Sequence, residues 1–263
     1  MSRKPRVANP SDPVLWCKEA AGLMARGDEK GAVFCYQESI KLRPGIPDVW
    51  YNLALLFEKT GESKEALAAH ITAGKMFPGD HRFPAERARL LAGSGKYTEA
   101  AAAVSEALAI APHSSVLLAN KAGYLIFAGN PNEALQSAEL ALAIEPGCSL
   151  AFLHKAHAQA ALGDAAKAND TLQTGLSSVP DDCRLLKLLA NLRIRSGEYE
   201  EGLASIEKVL LLTPEDAESW SLKGAASAYL GRKEDAISAF EQAMKLDPRE
   251  KSYRQNRDAV RKG

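Results

Sequence analysis

The sequence predicts an all-α fold built from seven consecutive pairs of short helices, and three regularly spaced residue types predict it. Glycine recurs every 34 residues, at Gly27, Gly61, Gly95, Gly129, Gly163, Gly197 and Gly231. Proline recurs with the same period, at Pro44, Pro78, Pro112, Pro146, Pro180, Pro214 and Pro248. Small residues fill two further columns, Ala20, Ala54, Ala88, Ala122, Ala156, Ala190 and Gly224, and Ala32, Ala66, Ala100, Ala134, Ala168, Gly202 and Ala236. A fixed period of this length is typical of a solenoid.

Each period is interpreted as two helices separated by the glycine and closed by the proline. Apolar residues at helical spacing precede the glycine, whose freedom to adopt a positive φ suits a helix C-terminus. An acidic residue often follows, where negative charge complements the N-terminal dipole of the second helix, at Asp28, Glu62, Asp164 and Glu198. Proline cannot continue a helix, so the second helix should end just before it. The small residues let the two helices approach closely.

The repeat pattern covers residues 13–248, in ungapped units of 13–46, 47–80, 81–114, 115–148, 149–182, 183–216 and 217–250. Residues 1–12 are polar and show no periodicity, which predicts a flexible N-terminal tail. Residues 249–263 are highly charged, which favours a C-terminal capping helix that covers the last repeat. Pro84 stands where other units place a large residue, so we expect the first helix of the third unit to start near Phe83.

The composition excludes several classes of protein. There are 33 Lys and Arg residues against 33 Asp and Glu, so no basic excess indicates a nucleic-acid partner. No stretch approaches ~18 uncharged apolar residues, which argues against membrane insertion. The basic residues near the N-terminus are not followed by an apolar segment, so no secretory signal is expected. Four cysteines without a Cys-x-x-Cys motif favour reduced thiols and a cytoplasmic location, and they are Cys17, Cys35, Cys148 and Cys183.

The unit resembles the tetratricopeptide repeat, which combines a large residue early in the first helix with the small, glycine and proline columns described above. The large-residue column holds Trp16, Trp50, Pro84, Leu118, Phe152, Leu186 and Trp220. The resemblance implies a right-handed superhelical solenoid of antiparallel helix pairs, with a concave groove lined by the first helix of each unit. A pentatricopeptide RNA-binding protein is disfavoured because its period is longer and because this chain lacks a basic excess.

The resemblance also implies which residues line the groove. The candidate peptide-binding residues are Tyr51, Asn52, Arg82, Arg89, Asn120, Phe127, Leu153, His154, His157, Lys187, Asn191 and Arg195. Together with neighbouring groove positions they predict an apolar centre flanked by two basic shoulders. We therefore expect a protein or peptide partner that presents an acidic or C-terminal segment.

Two binding mechanisms known in the family are only partly matched. Lys187 and Asn191 agree with the first repeat of the two-carboxylate clamp of heat-shock chaperone adaptors, but Leu222, Ser252 and Asn256 replace the remaining donors. The asparagine ladder of the protein O-GlcNAc transferase solenoid is represented by Asn52 and Asn120 alone. An amide both donates and accepts, which suits capture of a peptide backbone.

The sequence contains no pattern that predicts catalysis. His154 and His157 have a spacing that suits one metal ion, but no third ligand is evident, and no phosphate-binding loop or metalloprotease motif occurs. We expect a non-enzymatic scaffold or adaptor without catalytic residues, metal or cofactor. Two alternatives remain, namely a substrate-recruiting module of a larger enzyme or complex, and a self-assembling scaffold.

Overall fold

The computed structural model describes residues 5–262, which form fifteen α-helices and no strand. Residues 1–4 of the predicted tail and residue 263 lie outside the described residues. The first helices of the seven repeats are α1 (Pro13–Ala25), α3 (Pro47–Lys59), α5 (Arg82–Gly93), α7 (Ser115–Phe127), α9 (Ser149–Ala161), α11 (Cys183–Ser196) and α13 (Ala217–Tyr229). The second helices are α2 (Glu29–Leu42), α4 (Ser63–Met76), α6 (Tyr97–Ile110), α8 (Pro131–Ile144), α10 (Ala165–Ser178), α12 (Tyr199–Leu212) and α14 (Lys233–Leu246). The last helix, α15, spans Lys251–Lys262.

The helices belong to two compact units, called the first and the second unit, which are divided between Leu117 and Leu118. The boundary falls within α7. In the first unit, the helices around Trp16, Leu53 and Phe57 share one hydrophobic cluster. The second unit contains one cluster around Phe152 and Leu172 and another around Ile206 and Val209. Within the part of the chain that the structure describes, no helix is long and apolar enough to cross a bilayer.

The helix boundaries follow the repeating glycines and prolines. The seven glycines of the register all have a positive φ, between 72° and 86°, as the sequence predicts. Each second helix ends two residues before the repeated proline, as at Leu42 before Pro44 and at Ile144 before Pro146. The first helix of the third repeat begins at Arg82, one residue before the predicted start, and Pro84 lies in its first turn.

The two columns of small residues are the points of closest packing. Their twelve alanines are 0% exposed, so a larger side chain would have to displace a neighbouring helix. Gly202 shows how little room there is, since a Cβ added there would lie 2.7 Å from Cγ1 of Ile194 and 3.2 Å from the backbone oxygen of Ala190. The predicted role of these columns is confirmed.

The end of the predicted N-terminal tail contacts the first repeat. Pro10 lies 34 residues before Pro44, and its carbonyl oxygen accepts a 2.9 Å hydrogen bond from the indole nitrogen of Trp16. Trp50 and Trp220 make the same bond to the proline six residues before them. Val7 packs against the first hydrophobic cluster. One element of the repeat pattern therefore extends into the segment that precedes α1.

The glycine column gives a direct test of the register. Gly129 has a φ of 81° and nothing within 4 Å of an added Cβ, so Gly129→Ala introduces backbone strain without a steric clash. We expect it to lower the free energy of unfolding by about 1 kcal/mol, measured by urea denaturation. Gly147 is equally open but has no positive φ, so Gly147→Ala is the matched control and should cost nothing. Equal stability of the two variants would contradict the predicted role of the column.

Candidate functional site

A cleft of about 380 Å³ lies between α9, α11 and α13 in the second unit. It contains five of the predicted groove residues, Leu153, His157, Lys187, Asn191 and Arg195. Its apolar lining comes from Leu153, Ala160, Leu188, Leu192 and Leu222, and its other charged residues are Arg184 and Glu218. The cleft thus combines an apolar floor with amide, imidazole and cationic donors, which is the composition of a peptide-binding site.

Two of the cations in this cleft are already paired. The Lys187 ammonium lies 3.0 Å from a carboxylate oxygen of Glu218 and 3.3 Å from one of Asp216. The Arg184 guanidinium donates to Asp182 at 2.8 Å. These pairs leave less positive charge in the cleft than the groove positions alone predict.

Asp182 owes its position to the start of α11. It caps this helix by accepting hydrogen bonds from the backbone amides of Arg184 and Leu185, and its other oxygen accepts a hydrogen bond from the Ser149 hydroxyl. Burial opposes ionisation, but the bonds from Arg184, Ser149 and the backbone lower the pKa of Asp182 to about 2. Asp182 is therefore ionised at neutral pH and holds the charge of Arg184.

Arg195 and Asn191 differ from the paired cations. The Arg195 side chain is exposed at the rim of the cleft, and Asn191 is half-buried one helical turn before it. Within residues 5–262 neither side chain makes a hydrogen bond or an ion pair. Both are therefore available to a ligand, and their separation of four residues places them on the same face of α11.

The remaining predicted residues of the second unit do not line this cleft. The Nδ1–H group of His154 donates to the backbone oxygen of Ala119 at 2.7 Å, and its ring packs on Gly123, where an added Cβ would lie 2.6 Å away. Burial lowers the pKa of His154, although the bond to Ala119 opposes this effect. His154 therefore supports the packing of α7 and α9. Asn120 is half-buried on α7, and the Phe127 side chain is 68% exposed.

In the first unit, three of the four predicted groove residues lie together, because Tyr51 and Arg89 both bind Glu86 and Arg82 lies over the Tyr51 ring. The Tyr51 hydroxyl donates to Glu86 at 3.2 Å, and Arg89 donates to it at 2.7 Å. The Arg82 guanidinium lies 5.2 Å from the centre of the Tyr51 ring. The fourth residue, Asn52, is exposed on α3.

The charge of this part of the first unit is opposite to the prediction. Arg82 is bound by Asp48 and Asp80, and Arg89 is bound by Glu58 and Glu86, so two guanidinium groups face four carboxylates. The predicted basic shoulder at Arg82 and Arg89 is therefore wrong. Asp80 was missed because it precedes α5, outside the groove positions, whereas Asp48 stands 34 residues before Arg82, at the same position of its repeat.

Cys35 and Cys17 do not lie in the surroundings of an activated nucleophile. Burial, reinforced by nearby acidic groups, raises the pKa of the Cys35 thiol to about 11. The Cys17 sulfur lies 3.1 Å from the Ser39 hydroxyl, with no base in this contact. A raised thiol pKa disfavours the reactive thiolate.

The fold and the groove residues define a helical-repeat protein, and comparison with known families identifies the repeat. Models described as tetratricopeptide repeat match residues 35–68, 125–192 and 187–251. The chain belongs to the tetratricopeptide repeat family, as its sequence pattern predicts. Proteins of this fold serve as protein–protein interaction scaffolds and bind protein or peptide partners. No curated protein sequence matches this chain.

Solved structures show the same fold. A tetratricopeptide repeat protein from Parabacteroides merdae is 19% identical, with a TM-score of 0.77 over 96% of this chain and 100% of that chain. The PilW type IV pilus biogenesis factor is 20% identical, with a TM-score of 0.70 over 81% and 97% of the two chains. YrrB, described as a repeat protein with an unusual peptide-binding site, is 18% identical, with a TM-score of 0.53 over 74% and 98%.

Proposed function

We propose that this protein is a non-enzymatic adaptor and that the cleft between α9, α11 and α13 binds an extended peptide segment carrying a carboxylate. The observation that carries the proposal is the position of Asn191 and Arg195, two donors without a partner in the described residues, beside the apolar floor of the cleft. An amide and a guanidinium on one helix face suit a carboxylate next to a peptide group.

The apolar floor supplies the second part of the interaction. Leu153 and Leu188 are partly buried against the cluster around Phe152, so they offer a fixed surface to an apolar side chain of the peptide. Apolar burial provides most of the affinity in such clefts, while charged groups on the rim set orientation and association rate. The resemblance to YrrB, a protein described by its peptide-binding site, agrees with this assignment.

The proposal is tested with peptides selected from a random display library and measured by fluorescence anisotropy. Arg195→Glu should weaken binding roughly tenfold at low salt, and the loss should shrink as the ionic strength rises. Asn191→Ala should weaken binding by about 1–2 kcal/mol at all salt concentrations, because an amide desolvated by the peptide loses its bond.

Lys167→Glu is the matched control, because Lys167 is an exposed cation on α10 that does not line the cleft. It should bind the selected peptides like the parent. Amidating the peptide C-terminus or replacing its acids will identify which carboxylate is recognised. Unchanged binding by both cleft variants, with the fold intact, would refute the assignment.

A further inference from the structure

Three side chains from successive helices of the first unit meet in one cluster. Glu58 comes from the end of α3, His70 from α4 and Glu86 from α5, and one ligand atom of each lies within 4.8 Å of the others. The His70 side chain is 0% exposed, and the side chains of Glu58 and Glu86 are 19% and 22% exposed. The cluster is thus nearly closed on the His70 side and accessible past the carboxylates.

The buried polar atoms of this cluster lack partners. Neither ring nitrogen of His70 makes a hydrogen bond, and Oε1 of Glu58 makes none. The Nε2 atom of His70 lies 3.8 Å from Oε1 of Glu58, which is too long for a hydrogen bond. Burying such groups without partners is costly, so their convergence calls for an occupant that binds all of them.

The surrounding residues hold the two carboxylates in place. Arg89 donates to the Oε2 atoms of both Glu58 and Glu86, and the Tyr51 hydroxyl donates to Oε1 of Glu86. Oε1 of Glu58 is left directed toward His70. Hydrogen bonds from outer groups to ligating carboxylates are a regular feature of metal sites.

We propose that Glu58, His70 and Glu86 form a binding site for a divalent transition metal of the zinc class. One imidazole nitrogen and two carboxylate oxygens are ligands that Zn²⁺ accepts, at bond lengths of about 2.0–2.2 Å. Two ligands of one tetrahedral ion are about 3.3–3.6 Å apart. Ligand atoms up to 4.8 Å apart therefore have to approach by at most about 1.5 Å, which rotation of the glutamate side chains accommodates. The positive charge of the ion compensates the negative charges of both carboxylates. Arg89 is half exposed, so solvent screens part of its charge. Three protein ligands leave a fourth position for water or another donor.

This site lies in the first unit and does not depend on the peptide cleft of the second. The test uses the full chain, stripped with a chelator and titrated with ZnCl₂ by calorimetry, and with Co²⁺ monitored by its visible absorption. We expect one Zn²⁺ per chain and a Co²⁺ spectrum of a low-coordinate site with nitrogen and oxygen ligands. His70→Gln and Glu58→Gln should each weaken binding at least tenfold, because they remove a direct ligand.

The controls are His81→Gln and Glu65→Gln, which alter exposed residues of the first unit and should bind like the parent. Circular dichroism checks the fold, and the isosteric Glu58→Gln decides the matter if His70→Gln does not fold. Zinc should also raise the Tm of the parent and not that of Glu58→Gln. A parent that binds zinc no more tightly than Glu58→Gln would overturn the proposal and leave the cluster as an ion-pair network alone.

Discussion

Replacing Ala134 with leucine is expected to lower the free energy of unfolding by about 3 kcal/mol, at the upper end of the range for overpacked cores. Ala134 is fully buried on α8, in the column where the two helices of a repeat meet. In the sixth repeat this column holds Gly202, where even an added Cβ would come within 3.2 Å of a backbone oxygen of the facing helix. Ala122→Phe, in the facing column, should cost more because it adds an aromatic ring. Urea unfolding followed by circular dichroism measures both.

Ala143→Leu is the control, because Ala143 is an exposed alanine near the end of the same helix. Its stability should stay within about 0.5 kcal/mol of the parent. Repeats contact mainly their neighbours, so a damaged middle repeat should also broaden the transition and cause loss of two-state behaviour. If Ala134→Leu were as stable as Ala143→Leu, the register of the helix pairs would be wrong.

The backbone architecture was predictable because each column of the repeat has a single physical task. Gly129 and its equivalents adopt a positive φ, which residues other than glycine rarely do. Pro146 and its equivalents stop a helix at a fixed place. These effects are local, so they can be inferred from one sequence without knowledge of distant contacts.

The electrostatics of the groove were not predictable in the same way. The prediction counted charges at groove positions only, whereas the partners of Arg82, Arg184 and Lys187 include Asp80, Asp182 and Asp216. These three aspartates precede α5, α11 and α13 and stand in one column of the 34-residue register. That column is a signal that sequence analysis could have used. Asp182 caps α11, and Asp80 accepts a hydrogen bond from the backbone amide of Arg82, so the start of a helix favours an acid at this position.

The cluster around His70 has no comparable signal. Glu58, His70 and Glu86 are separated by 12 and 16 residues and lie on three different helices. No ligand spacing of a known metal motif describes them, and only the packing of α3, α4 and α5 brings them together. The spacing of His154 and His157 suits one metal ion, but the structure places His154 against the backbone of α7.

Leu153→Asp is expected to weaken peptide binding more than any other single change in the cleft, by at least about 2 kcal/mol. Leu153 lines the cleft and is partly buried against the cluster around Phe152, so an aspartate there removes apolar area and places a negative charge beside the peptide carboxylate. Anisotropy titrations with the peptides selected against the parent provide the measurement. Because Leu153 also contributes to packing, Leu153→Ala is measured in parallel and should retain the fold with an intermediate loss of affinity.

Leu211→Asp is the matched control. Leu211 is 85% exposed on α12 and does not line the cleft, so the same substitution there should leave peptide affinity unchanged. The two variants distinguish two surfaces of this part of the chain. A partner that binds to the second helix of each repeat, such as α12, would be sensitive to Leu211→Asp and insensitive to Leu153→Asp. That reversed pattern, in folded variants, would move the binding site away from the cleft between α9, α11 and α13.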